Sequence, residues 1–377
     1  MQEIHLWVPE LDAARGGIQA FSQHLHQALG RIVVPGVRVR TLAKLGTGPL
    51  ADGHQFGGVP AWLRTPVYAG ALLRAGLYHR PVLVIATHVN FLPVARLLKR
   101  WRGVRYVGVA HGVEVWGSRR AGVQRSLREA DSVLAVSHYT QGRVATEQQL
   151  PAERVKVLPN TFDQAGFQPG SKPLKLLRRY HLPADAKIIF SFGRLVASER
   201  YKGFDRIIAA LPEICRRVPN ACYLIGGTGD DRPRLEQLAR DSGLAGRVVF
   251  TGFIAPEEVC DHYNLCDVFA MPSVGEGFGI VYLEAMACGR PVLAGNRDGS
   301  REPLRDGELG ALVDPENPAQ IADTLARIRE GRHEHPLMFQ PAPLRERAIR
   351  EFGFDRFCRT LAGHLRPLLP PGTVCET

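Results

Sequence analysis

Residues 273–291 read S-V-G-E-G-F-G-I-V-Y-L-E-A-M-A-C-G-R-P. Just upstream, V-F-A-M-P ends an apolar strand at Met271-Pro272. Gly275, Gly277 and Gly279 then allow the backbone to turn tightly and to approach a ligand closely. A helix starts near Phe278–Ile280, and Gly289 with Pro291 gives its stop signal. The free N–H groups and positive dipole end at Phe278–Ile280 form a site for an anion such as a phosphate. Two glutamates, Glu276 and Glu284, stand here with seven residues between them. Eight residues of helix rise about 12 Å, whereas glycosidase carboxylates sit about 5–9.5 Å apart. The spacing better fits two carboxylates gripping different parts of one extended ligand, Glu284 on the hydroxyls of a ribose and Glu276 facing a sugar. The plain alternative stays open here: Glu276 as a helix-start carboxylate, Glu284 as a solvated helix charge.

The same strand–loop–helix alternation runs outward in both directions. In the first half, strands are expected at 3–8, 31–40, 82–87, 104–110 and 132–137, and helices at 17–29, 65–78, 91–102, 121–129 and 140–150. In the second half, strands are expected at 187–192, 222–226, 248–251, 268–271, 291–294 and 310–313. Its helices are expected at 203–216, 232–242, 256–265, 279–288 and 318–329. Alternating βα units imply a parallel sheet covered by helices. Two such runs imply two Rossmann-like domains, 1–165 and 166–345, with the seam in the Pro- and Gly-broken stretch 160–182. Residues 346–377 read as helices that cross back to the first domain. A ligand cleft is expected between the carboxyl ends of the two sheets.

A chain of 377 residues exceeds one ordinary core, which agrees with two domains. Its 45% hydrophobic and 23% charged residues suit a globular enzyme, and no apolar run is long enough for a membrane span. The start, M-Q-E-I-H-L-W-V-P-E, reads as a first buried strand and not as a signal peptide. All seven cysteines lie from Cys215 onward with no metal-ligand spacing, so reduced thiols in a cytosolic protein are expected. Charge is uneven: residues 1–165 hold 20 Lys and Arg against 10 Asp and Glu, out of 48 and 37 in the chain. The basic half is expected to face something anionic.

The stretch E-G-F-G-I-V-Y-L-E-A-M-A-C-G-R-P-V resembles the E-x7-E motif of the retaining glycosyltransferases of family 4, of the bacterial polysaccharide and glycolipid type. The resemblance spans the second half and, more loosely, the first. It implies the GT-B fold, with two Rossmann-like domains facing across a cleft, and hexose transfer from a UDP- or GDP-linked sugar to a hydroxyl. It implies no metal: fixed cations stabilise the leaving diphosphate. In S-F-G-R-L-V-A-S-E-R-Y-K-G-F-D, the matching cations are Arg194 and Lys202, while Glu199, Arg200 and Tyr201 have no assigned role. The backbone of Gly252, Phe253 and Ile254 matches the turn that reads the base. Glu276, Gly277, Phe278, Gly279 and Ile280 match the sugar and phosphate segment, and Glu284 the ribose position. In N-R-D-G-S-R-E, Asp298-Gly299-Ser300 replaces the family's glycine pair, which leaves Glu302 as cleft lining only.

In the first half, Gly16 and Gly17 match the family's glycine pair near the donor phosphate, and His111 matches a histidine close to the transferred sugar. The catalytic set implied is His111, Glu276, Arg194 and Lys202, with Glu114 and Asn160 on the acceptor side. G-G-T-G-D-D-R, from Gly226, lacks the third glycine of a dinucleotide fingerprint and reads as a tight turn. Arg96, Lys99, Arg100, Arg102 and Arg105 surround Leu97, Leu98 and Trp101. That pattern suits either an amphipathic helix on an anionic membrane surface or an ordinary helix of the Rossmann layer. The expected partners are a nucleotide sugar and a glycan or lipid-linked acceptor, at a cytoplasmic location reaching the inner membrane face. Nucleic acid is not expected, because no basic motif is interleaved with aromatics. A related epimerase or sugar-phosphate synthase, and a non-catalytic nucleotide-sugar or membrane-surface binder, are the competing readings.

Overall fold

The computed structural model describes residues 2–12, 16–118 and 120–375. The chain forms two compact units, Met1–Thr161 with Phe354–Thr377, and Phe162–Gly353.

In the first unit the strands are β1 (Gln2–Val8), β2 (Val37–Ala43), β3 (Gly53–Gln55), β4 (Leu83–Ala86), β5 (Arg105–Ala110), β6 (Ser132–Ala135) and β7 (Val155–Val157). They form one sheet in the order β3-β2-β1-β4-β5-β6-β7. Its pairings are parallel, with Ile4 opposite Leu83 and Trp7 opposite Ala86 across β1 and β4. Central strands such as L-V-I-A of β4 are buried throughout, which is why they are apolar on both faces. In the second unit, β8 (Lys187–Phe192), β9 (Ala221–Gly226), β10 (Val248–Gly252), β11 (Val268–Met271), β12 (Val292–Gly295) and β13 (Ala311–Val313) follow. Their order is β10-β9-β8-β11-β12-β13. In each sheet the chain direction of travel reverses once, beside β1 and beside β8. In open parallel sheets, the loops leaving the carboxyl ends of the strands at such a reversal are where a ligand is expected.

The first helix, Gly17–Ile32, runs past its expected end. Its buried stripe of Phe21, Leu25, Ala28, Leu29 and Ile32 keeps helical spacing through residues expected to open a strand. Pro35 and Gly36, with Gly36 at φ 95°, break the chain, and β2 therefore covers Val37–Ala43 instead of 31–40. Strands β3 and β7 are three residues each, too short to leave a periodic signal. The seam stretch contains a short helix, Leu174–Arg179, tied to the helix Pro256–Leu265 by the Arg179–Glu258 ion pair at 2.8 Å.

The carboxyl-terminal helices divide between the units. Pro341–Phe352 belongs to the second, where Phe352 meets Phe278 edge-on at 5.7 Å between ring centroids. Arg345 also donates to the Ala287 carbonyl at 2.6 Å. Only Phe354–Leu365 joins the first unit, against the helix Gly17–Ile32. There Phe357 meets Phe21 edge-on at 5.8 Å. The expected boundary at 345 falls inside a helix whose apolar face, Leu344, Ala348 and Phe352, is already buried.

The basic helix Leu92–Arg102 spends most of its charge internally. Arg96 pairs with Glu129 at 2.8 Å, Lys99 with Asp131 at 2.8 Å, and Arg100 with Glu129 at 3.5 Å. Leu98 is core, while Trp101 and, on the preceding helix Ala61–His79, Trp62 and Tyr78 are exposed. Among the described residues no helix is long and apolar enough to cross a membrane.

Phe357 is a buried ring with no polar atom to lose. Its replacement by alanine is expected to cost about 3–5 kcal/mol. Urea unfolding followed by circular dichroism measures this, and a loss below 1 kcal/mol (a Phe357 that does not hold the helix) contradicts the packing.

Candidate active site

In the second unit the loops that leave β8 and β11 flank the point where the sheet order reverses. After β8, Gly193 bonds back to Gly226 (N–H to O, 3.0 Å), and Leu195 to Thr228 (2.9 Å). A Cβ on Gly227 would lie 1.9 Å from the Gly193 carbonyl oxygen, so G-G-T-G is a close backbone crossing, as its sequence suggests. Arg194 is 63% exposed, whereas Lys202 is only 12% exposed. Lys202 ends a 3₁₀ segment, Ala197–Lys202, that turns through Gly203 at φ 81° into the helix Phe204–Arg217. A side chain on Gly203 would collide with the Pro272 carbonyl at 2.3 Å, so the two loops touch through bare backbone.

The loop after β11 is fixed from one buried carboxylate, Asp298. Its Oδ2 accepts from Ser273 Oγ and from the Glu276 N–H, both at 2.7 Å. Its Oδ1 accepts from the Ser300 N–H at 3.0 Å and from Ser300 Oγ at 2.5 Å. The Glu276 carbonyl in turn accepts from the Gly299 N–H at 2.9 Å. A Cβ on Gly299 would sit 2.2 Å from the Gly277 carbonyl, which requires glycine there. Asp298 and Ser300 thus fix this loop through their side chains, where the family has a glycine pair. Glu302, next in that segment, is half-buried.

The helix proper is Ile280–Ala287, with Gly279 as its cap at φ 90°. Glu276 therefore lies in the loop, four residues ahead of the helix, and is not a helix-start carboxylate. The rise of a helix does not set its distance from Glu284. A Cβ on Gly279 would meet the Tyr282 ring at 2.4 Å, so the turn admits no larger residue. Phe278 turns its ring into the core, and Ile280 is buried too, so both offer only backbone to a ligand. Glu284 is half-buried, and its Oε2 accepts from Tyr263 Oη at 2.7 Å.

Burial pushes the Glu276 carboxyl up to about 7, against the pull of Lys202 and with the push of Asp298. Burial also pushes Glu284 up to about 7, with the Tyr263 hydrogen bond opposing. Both groups are held where their charged forms are poorly solvated. At the turn after β10, Gly252 has φ 74° and its carbonyl accepts from the Gly227 N–H at 2.9 Å. That carbonyl is engaged within the protein. Phe253 beside it is 70% exposed and Ile254 is buried.

In the first unit, Gly16 caps the helix Gly17–Ile32 in extended backbone, and nothing lies within 4 Å of a Cβ built on Gly17. His111 follows β5 and packs edge-on against Phe21 of that helix, with centroids 4.9 Å apart. Its Nε2 lies 2.9 Å from the Thr87 carbonyl, which can only accept. The proton therefore sits on Nε2, and Nδ1 is left as an acceptor. Burial lowers the ring to about 4, so it is neutral near pH 7. Glu114 reaches His111 through the backbone: its Oε1 accepts the His111 N–H at 2.6 Å, and burial raises its own carboxyl. Asn160 is buried, and its Oδ1 has no partner among the described residues.

Three residues given no role by the sequence contact the candidate residues: Asp298, Tyr263 and Glu199, a carboxylate that contacts both Arg194 and Lys202. Each acts on a residue distant in sequence or through a contact that no local pattern encodes. Among the described residues no group of three or more His, Cys, Asp or Glu side chains is placed to hold a metal ion.

Residues 186–330 match the family model described as glycosyl transferases group 1, and residues 15–165 match that of glycosyltransferase family 4. A GDP-mannose-dependent alpha-(1-6)-phosphatidylinositol monomannoside mannosyltransferase of Mycobacterium tuberculosis is 35% identical over 288 residues, 73% of each chain. The protein of the same description from Mycolicibacterium smegmatis is 39% identical over 229 residues, which span 58% of this chain and 59% of that one. The sucrose-phosphate synthase of Thermosynechococcus elongatus superposes with TM-score 0.78 at 22% identity, over 98% of this chain and 99% of that one. The Anabaena protein HepE, solved with UDP and glucose, gives TM-score 0.78 at 20% identity, over 97% and 100%. These likenesses establish the GT-B fold.

The raised carboxyl of Glu284 carries a stability consequence. Its folded value, about 7, exceeds the ordinary 4.5, so the folded protein loses stability as pH rises from 4.5 through 7. Glu284→Gln removes that loss and still offers an acceptor to Tyr263. The variant is expected to melt above the parent at pH 8 and close to it at pH 5, in differential scanning calorimetry without ligand. A difference that does not grow with pH contradicts the assignment.

Proposed function

The chain belongs to glycosyltransferase family 4 and is a nucleotide-sugar-dependent glycosyltransferase, and from that membership we propose that it moves a hexose from a nucleotide diphosphate sugar to a hydroxyl with retention at the anomeric carbon. The observation that carries this reading is the carboxyl end of the second sheet. There the cations Arg194 and Lys202, the Gly277–Ile280 backbone and two poorly solvated carboxylates occupy the loops and helix that follow adjacent strands. The bond from the anomeric carbon to the leaving phosphate oxygen breaks, and the acceptor oxygen bonds to the same face of that carbon. The acceptor's proton passes to the leaving phosphate.

Arg194 and Lys202 take up the charge that builds on the diphosphate, together with the N–H groups at the start of the helix Ile280–Ala287. Glu276 holds sugar hydroxyls and Glu284 holds the ribose. The turn at Gly252–Ile254 serves the base through its backbone, with the Gly252 carbonyl already engaged. On the first unit, Gly16 and Gly17 offer backbone at a helix start, and the neutral His111 offers Nδ1 to a sugar hydroxyl. Glu114 holds His111 in place, and Asn160 serves the acceptor. No metal has a part in this scheme. GDP-mannose is the donor favoured, because the mycobacterial relatives at 35% and 39% identity are described as dependent on it. A glycan or lipid-linked hydroxyl is the acceptor class favoured, at the cytoplasmic face of a membrane.

A thermal-shift screen across GDP, UDP and ADP and their sugars tests the donor, because a ligand of the folded state stabilises by mass action. GDP-mannose is expected to raise the melting temperature most. Glu284→Ala is expected to raise donor KM about tenfold or more through loss of the ribose contact. His111→Ala is expected to lower kcat more than it raises KM. Unchanged kinetics in both variants would sink the assignment.

A further inference from the structure

The segment A-S-E-R-Y-K, residues 197–202, places a third carboxylate among the phosphate cations. Glu199 is buried at 8% exposure on the 3₁₀ turn, held by its N–H to the Val196 carbonyl at 2.8 Å. One carboxylate oxygen meets Arg194 Nη2, and the other lies 2.6 Å from Lys202 Nζ. Lys202 lies over bare backbone: a Cβ on Gly193 would be 3.0 Å from its Nζ. The neighbours on the turn are committed elsewhere. Arg200 pairs with Asp231 at 2.8 Å, and the Tyr201 carbonyl accepts from the Val274 N–H at 2.9 Å. The turn is thus pinned on both sides, and Glu199 is the group that spans the two cations.

We propose that Glu199 is a positioning residue that holds Arg194 and Lys202 side by side for the diphosphate and, by cancelling one of their two charges, keeps the nucleotide diphosphate product weakly enough bound to leave. The inference rests on the reading of Arg194 and Lys202 as phosphate ligands. A long arginine and a long lysine lose much rotamer freedom when ordered. Because Glu199 contacts both through its two oxygens, part of that ordering precedes the donor, as efficient electrostatic catalysis requires. The same carboxylate repels the incoming phosphates. A net single positive charge therefore faces them instead of two, and transition-state charge is favoured over tight product binding. Glu199 also lies close enough to Glu276 to help raise its carboxyl, while Lys202 lowers it.

Two variants of the full chain separate position from charge. Glu199→Gln keeps the size and one acceptor but removes the charge. Its Kd for GDP and for UDP, by isothermal titration, is expected to tighten roughly three- to tenfold at low salt for a charge removed at this range. That gain shrinks as salt rises. Its kcat is expected to fall about tenfold or more, since a positioned pair of cations stabilises the transition state. Glu199→Asp keeps the charge but is too short to span both cations, so its Kd stays within about twofold of the parent while kcat falls. Weaker nucleotide binding by Glu199→Gln, or a kcat within twofold of the parent in both variants, overturns the proposal. Lys202→Ala checks the reading beneath it. If that variant binds GDP and UDP as the parent does, the phosphate assignment itself falls.

Discussion

The geometry of the second unit's site depends on the carboxylate of Asp298. Four donors from three residues converge on its two oxygens. Through them it sets the backbone that carries Glu276 and, beyond it, the left-handed turn at Gly279 that opens the helix Ile280–Ala287. A buried, fully bonded aspartate is a stiff support, because breaking any of its hydrogen bonds leaves a charge poorly solvated. The glycines around it matter by the absence of a side chain. Gly203 and Gly299 each let one loop approach another's carbonyl within a distance that a Cβ would block. Rigid support and bare backbone together let a loop after β11 hold a carboxylate as steadily as a strand would.

Much of this arrangement is legible in the chain itself. The run V-F-A-M, the alternating glycines and the closing C-G-R-P mark strand, loop and helix because each uses a local rule of backbone conformation. The βα alternation gives two parallel sheets for the same reason. Legibility ends where a residue's environment is made by distant chain. Asp298 bonds the N–H of Glu276, 22 residues back, and Tyr263 bonds Glu284 from 21 residues away. Nothing local distinguishes either from a surface aspartate or a core tyrosine. In sequence the first helix ends too early because Val33 and Val34 favour strand by propensity, whereas the buried stripe through Ile32 decides the fold. The basic cluster at 96–105 suits either a membrane face or an ordinary surface helix in sequence, and only the fold shows that Glu129 and Asp131 on neighbouring elements pair with three of its cations.

Glu276 and Glu284, the two candidate-site glutamates, share one electrostatic condition. Each is kept in surroundings that raise its carboxyl to about 7, an unfavourable state for an anion at neutral pH. That cost is borne by the well-packed surroundings: Phe278, Tyr282, Leu283 and Met286 are all buried beside them. A stable apolar frame tolerates a few poorly solvated groups, and polar groups of a ligand can then relieve them.

The helix Phe354–Leu365 belongs to the first unit although it follows the whole second unit in the chain. Phe21 and Val157 contact residues that the ribosome adds only after the whole second unit: Phe21 meets Phe357, and the Val157 carbonyl meets His364 Nε2 at 2.9 Å. During synthesis the amino-terminal half therefore waits with one apolar helix face uncovered, while the second unit, contiguous in sequence, can close first. The first unit's core is thus closed by residues translated only after the whole second unit.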